Sequence, residues 1–74
     1  MTSRVEVQTA LSRVLLAKVR EDSYPSSTYM DILEQTLPPE LLREYVNVLL
    51  EKLVTDNRPS IDMLRRVQRI GAAL

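Results

Sequence analysis

The sequence predicts an all-α protein: a compact single domain of four helices that form a small bundle. Three observations favour this fold class. Apolar residues recur at helical spacing along most of the 74 residues, and the chain has one glycine and few runs of β-branched residues. Prolines at positions 25, 38, 39 and 59 divide this pattern into four segments. The predicted helices span residues 4–21, 27–36, 39–55 and 60–72, within one domain over residues 1–74.

Each predicted helix has a start signal of its own. Ser3 and Glu6 have the spacing of a capping box, in which each residue satisfies an unpaired amide of the other. A serine at position 26 or 27 can cap the second helix. Pro38 and Pro39 suit the first turn of the third helix, where a missing amide costs nothing. Ser60 can cap the fourth helix.

The third helix carries the broadest apolar face, an arc of about 200°. Its members are Leu41, Leu42, Tyr45, Val46, Val48, Leu49, Leu50 and Leu53. A helix that lies on a core from one side needs a stripe of only about 100°. We therefore expect the third helix to be central in the bundle, or to be shared with another subunit.

The first helix has two apolar faces. The larger consists of Val7, Ala10, Leu11, Val14, Leu15 and Ala17, and a second stripe consists of Val5, Leu16 and Val19. The shorter helices could cover both faces within one chain. The interpretation that we favour is that the second stripe contacts a partner chain, because three other helices offer little surface to cover both faces of the first and the broad face of the third.

The fourth helix separates apolar from basic residues. The predicted core side consists of Met63, Leu64, Val67, Ile70 and Leu74, and the opposite side carries Asp62, Arg65, Arg66 and Arg69. Most simply, Arg65, Arg66 and Arg69 keep this side in water. They are also candidate residues for binding an acidic protein surface, the acidic middle of this chain or, less favoured, a nucleic acid.

Charge is segregated along the chain although the formal net charge is zero. Residues 1–20 carry +3, residues 21–51 carry −6, and residues 52–74 carry +3. Such a pattern can orient the helices of one chain against each other, or orient two copies.

The composition excludes several chemistries. The chain has no histidine and no cysteine, so it cannot form a Ser-His-Asp triad, a thiol nucleophile or a disulfide. The paired carboxylates at Asp31/Glu34 and Glu40/Glu44 have the spacing of one helix face, and we interpret them as a solvated acidic surface. We therefore expect no enzyme activity, no metal site and no cofactor.

These observations predict a small non-catalytic interaction or assembly module: a subunit, adaptor or inhibitor that docks through an apolar helix face on another protein or on a second copy of itself. The alternative is a small dimeric DNA-binding regulator that uses the basic face of the fourth helix. Nucleic acid is the less favoured partner, because the chain is not basic overall and has no Phe or Trp. The chain has no apolar run of membrane-spanning length and no signal-peptide pattern, so we expect a cytoplasmic protein with no membrane partner.

Overall fold

The computed structural model describes residues 3–56 and 60–74, and it confirms the all-α prediction. Helix α1 spans Arg4–Glu21, α2 spans Ser27–Thr36, α3 spans Pro39–Thr55 and α4 spans Ile61–Gly71. These bounds agree with the predicted ones to within one residue. The predicted break at Pro59 lies outside the described residues. The chain divides into two compact units, Met1–Leu42 and Arg43–Leu74, and the prediction of a single domain over residues 1–74 stays a prediction.

Three of the helices begin at serine caps. The side-chain oxygens of Ser3, Ser26 and Ser60 each accept a hydrogen bond from the backbone N–H three residues later, at 3.1–3.2 Å. Each bond satisfies one of the amides that have no partner in the first turn of a helix. Of the two serines that could cap α2, Ser26 is the one that does so. The local capping signals therefore set where these helices begin.

In the first unit, α1 and α2 are joined by a buried hydroxyl group. The Oγ atom of Ser12 lies 3.0 Å from the carbonyl oxygen of Thr36 in α2 and 2.9 Å from that of Gln8 in α1. Its one proton is shared between these acceptors. Thr36 is the last residue of α2, where backbone carbonyls have no partner within the helix. Ser12 therefore supplies a donor that the end of α2 lacks.

The apolar part of the first unit's core comes from one side of each helix. The buried residues of α1 are Ser12, Leu15, Leu16 and Val19, and those of α2 are Met30 and Leu33. Leu41, in the first turn of α3, is also buried. The opposite side of α1 is exposed to solvent. This exposed side is the one that α1 can present to other molecules.

The second unit contains most of α3 together with α4. Tyr45, Val46, Val48 and Leu49 of α3 are buried, whereas Leu50, at the edge of the predicted apolar arc, is 42% exposed. Among the described residues, no buried side-chain nitrogen or oxygen lacks a hydrogen-bond partner. The central position predicted for α3 in a bundle stays a prediction.

The neighbouring residues Leu49 and Leu50 provide a matched pair for testing the core face of α3. Leu49→Ala should lower the free energy of unfolding by about 2–5 kcal/mol, because it leaves a cavity at a fully buried site. Leu50→Ala should lower it by about 1 kcal/mol or less, since the side chain is partly in water. Urea denaturation followed by circular dichroism measures both values, and similar losses for the two variants would contradict this assignment.

The contact between Ser12 and Thr36 can be tested by removing the hydroxyl group. Ser12→Ala should lower the free energy of unfolding by about 1–2 kcal/mol, because the carbonyl of the half-buried Thr36 loses its donor while alanine recovers some helix propensity. Ser23→Ala, the same change at an exposed position outside the helices, should alter stability by no more than about 0.5 kcal/mol. If Ser12→Ala is as stable as Ser23→Ala in thermal and urea unfolding, the hydrogen bond does not hold α1 to α2.

Candidate functional site

A stripe of apolar side chains lies exposed along α1, and we call it the α1 stripe. Its members are Val7, Ala10, Leu11, Val14 and Ala17. Val7 is 53% exposed, Leu11 41% and Val14 54%, and both alanines are also exposed. The spacings of three and four residues bring these side chains to one side of the helix. At about 1.5 Å per residue, the stripe is about 15 Å long.

The exposure of the α1 stripe follows from the burial of the opposite side. At about 100° per residue, the stripe is centred roughly 150° away from the buried residues of α1. The helix is buried on one side only, so the apolar residues of the other side remain in water. Both sides are apolar, but only the buried side carries Ser12, which donates a hydrogen bond to the carbonyl of Thr36.

The structure corrects the predicted partner-binding stripe on α1. Val5 is exposed, but Leu16 and Val19 are buried and cannot contact a partner while the chain is folded as described. The face predicted to be buried, apart from Leu15, is the exposed one. The sequence thus predicted two apolar faces, but the prediction of which face is buried was wrong at most positions. The contact made by Ser12 was not predicted from the sequence. The available signal for it was the position of this polar residue among leucines and valines on one face of the helix.

Exposed positive charges border the α1 stripe. Arg4 and Lys18 lie along one edge, and Arg13 lies along the other edge, about two turns after Glu6. Within the described parts of the chain, Arg4, Arg13 and Lys18 make no ion pair. An apolar surface with cations at its edges is complementary to an apolar surface with carboxylates at its edges.

On α4, the predicted set of three exposed arginines is wrong at one position. Arg65 and Arg69 are exposed, but Arg66 is buried. The Arg66 Nε atom donates a hydrogen bond to the Asp62 Oδ2 atom at 2.8 Å. The physical reason is position on the helix: Arg66 follows the buried Met63 by three residues, which places both on one side. The aliphatic part of an arginine can be buried if its charged end is paired.

The apolar side of α4 is also narrower than predicted. Met63 is buried, and Val67 and Ile70 are half-buried. Leu64 and Leu74, which the sequence assigned to the same side, are exposed. The core side of α4 includes Arg66 and does not include Leu64.

A mostly apolar depression on α3, with Leu50 and Val54 in its lining, is open to solvent. In residues 3–56 and 60–74, no three Asp or Glu side chains are grouped so that they could hold a metal ion. Within the same ranges, no helix combines the length and the apolar character that crossing a membrane requires. In comparisons with known proteins, the chain matches no family model, no curated protein and no solved structure.

Arg66 and Arg65 provide a matched pair for testing the burial of Arg66 on α4. Arg66→Gln should lower the free energy of unfolding by about 1–3 kcal/mol, because it removes a buried stem and the bond to Asp62. Arg65→Gln, at an exposed position on the same helix, should change it by no more than about 0.5 kcal/mol. Urea unfolding curves of both variants measure the difference. Equal stability would mean that Arg66 behaves as a surface residue.

Proposed function

We propose that the protein is a small non-catalytic interaction or assembly module that docks on another protein through the α1 stripe. The observation that carries this proposal is the simultaneous exposure of Val7, Leu11 and Val14 on one side of one helix. Single exposed apolar residues are ordinary on protein surfaces, whereas a contiguous apolar patch usually marks an interaction site. A subunit, an adaptor and an inhibitor would all use such a surface.

The spacing within the α1 stripe supports docking by a helix face. Val7, Leu11 and Val14 stand at positions i, i+4 and i+7. This is the pattern of anchors by which a helix lies in an apolar groove or against another helix. The stripe covers about three turns, which is enough for three anchors on one partner surface.

The size of the chain is a second argument for association. A chain of 74 residues removes only about 60% of its unfolded surface from water, so its own core contributes little stability. Small domains are commonly stabilised by disulfides, a structural metal or association with another chain. The absence of cysteine excludes disulfides. Binding of a partner to the folded form would add stability by mass action.

The position of Arg66 reduces the support for the alternative, a DNA-binding regulator that uses α4. Several phosphate contacts are needed for appreciable affinity at physiological salt. Arg66 is buried and bonded to Asp62, so the basic face of α4 offers Arg65 and Arg69. The apolar α1 stripe has no role in that alternative unless it joins two copies.

Two valine variants test the proposal with a matched control. Val14→Glu puts a charge in the α1 stripe, and Val54→Glu makes the same change on α3, where the side chain is 84% exposed. Both positions are in water, so both variants should keep the helical circular dichroism spectrum of the wild type. Proteins captured from lysate of the native cell are then quantified by mass spectrometry for all three forms.

We expect Val14→Glu to reduce the enrichment of specific captured proteins at least tenfold, because docking would bury a charge without a partner. A tenfold loss corresponds to about 1.4 kcal/mol of binding free energy. Val54→Glu should capture the same proteins as the wild type. If Val14→Glu also captures them unchanged, the α1 stripe is not the docking surface and the proposal fails.

A further inference from the structure

We infer that the partner presents to the α1 stripe an amphipathic helix whose apolar face is bordered by carboxylates. This inference rests on the proposed function and specifies the chemistry of the partner. Two features of α1 lead to it: the repeat of the apolar residues along the helix, and the charges at the edges of the stripe.

The repeat of the stripe fits a helix as the partner. Val7 and Val14 are seven residues apart, and Ala10 and Ala17 are also seven apart. In heptad notation, the valines occupy position a and the alanines position d, over two heptads. Leu11 widens the stripe at position e. Alanine at d leaves room for a second helix axis to come close, since the distance between packed helices depends on the side chains at their contact. A heptad seam of this kind packs against another helix.

The edges of the stripe indicate the charge of that helix. In the same register, Arg4 and Lys18 occupy e positions and Arg13 occupies a g position. Residues at e and g select the partner of a helix through ion pairs across the interface. These three cations are exposed and have no ion pair within the described residues. Carboxylates along the edges of the partner's apolar face would pair with them.

The same charges disfavour a second copy of this chain as the partner. In an antiparallel pair of α1 helices, the two Arg13 side chains meet, and each Arg4 lies beside the second copy's Lys18. Attraction between Glu6 and the second copy's Arg20 offsets only part of this repulsion. In a parallel pair, Arg13 lies beside the second copy's Lys18. Like charges at these positions disfavour the pairing, so a different, acidic partner fits better.

Two synthetic peptides test the inference against the full chain. Both are 21-residue helices with the same leucine and valine residues at positions a and d, and they differ only at e and g, which are all Glu in one and all Lys in the other. Binding is measured by fluorescence anisotropy at low and at physiological salt. We expect the Glu peptide to bind at least tenfold more tightly than the Lys peptide, with a preference that decreases as salt rises.

Variants of the chain assign the binding to the α1 stripe and its edges. Val14→Glu should abolish binding of the Glu peptide, while Val54→Glu should bind it as the wild type does. The triple variant Arg4→Gln, Arg13→Gln and Lys18→Gln should bind the two peptides with affinities within about threefold of each other. All three positions are exposed, so its helical content should be that of the wild type.

Three results would overturn the inference. The first is equal binding of the two peptides, or a preference for the Lys peptide, by the wild-type chain. The second is binding of neither peptide. The third is a wild-type dimer at micromolar concentration in sedimentation that Val14→Glu converts to monomer, because the second copy is then the partner. If Val14→Glu still reduces the capture of proteins from lysate, the first two results refute the inference about the partner's charge and leave the proposed docking function supported. A failure of the inference can therefore be distinguished from a failure of the proposed function.

Discussion

The hydrogen bond between Ser12 and the carbonyl of Thr36 distinguishes one apolar side of α1 from the other. Both sides of α1 carry apolar residues, so burial of hydrophobic surface favours packing of either side. If α1 turned by about half a revolution, Ser12 would move into water and the end of α2 would lose its donor. A carbonyl that is left without a donor away from water costs about 1–3 kcal/mol, so this contact favours the observed orientation. The contact of one hydroxyl group therefore favours the orientation in which Val7, Leu11 and Val14 are exposed.

Arg66 shows that the position of a charged residue on a helix can lead to its burial despite its polarity. The residue lies on the side of α4 that also carries Met63, and its charged end reaches the half-exposed carboxylate of Asp62 one turn earlier. Burial of an arginine is tolerated when its stem packs and its guanidinium is paired. The basic cluster of α4 thus contains both a buried, paired arginine and arginines that are exposed to solvent. On α4, the accessible ones are Arg65 and Arg69.

The helix bounds could be predicted from the sequence because their causes are local. Ser3, Ser26 and Ser60 each act on an amide three residues away, and prolines act on their immediate neighbours. The site could be predicted only in part. Two apolar faces follow from the periodicity of α1, but the choice between them depends on a contact between residues 24 positions apart. The position of Ser12 among apolar residues of α1 indicates a polar contact, but the residue that it contacts lies in α2 and does not follow from the pattern of α1.

The charges of α1 lie at the edges of its apolar stripe and not in its centre, and this separation has a kinetic meaning. Charges at the rim of an interface act over about a Debye length and raise the rate of encounter with an oppositely charged surface. Apolar contacts at the centre act only after docking and set the lifetime of the complex. For an acidic partner, salt would therefore slow association and leave dissociation nearly unchanged. Arg4, Arg13 and Lys18 would govern how fast the complex forms, and Val7, Leu11 and Val14 how long it lasts.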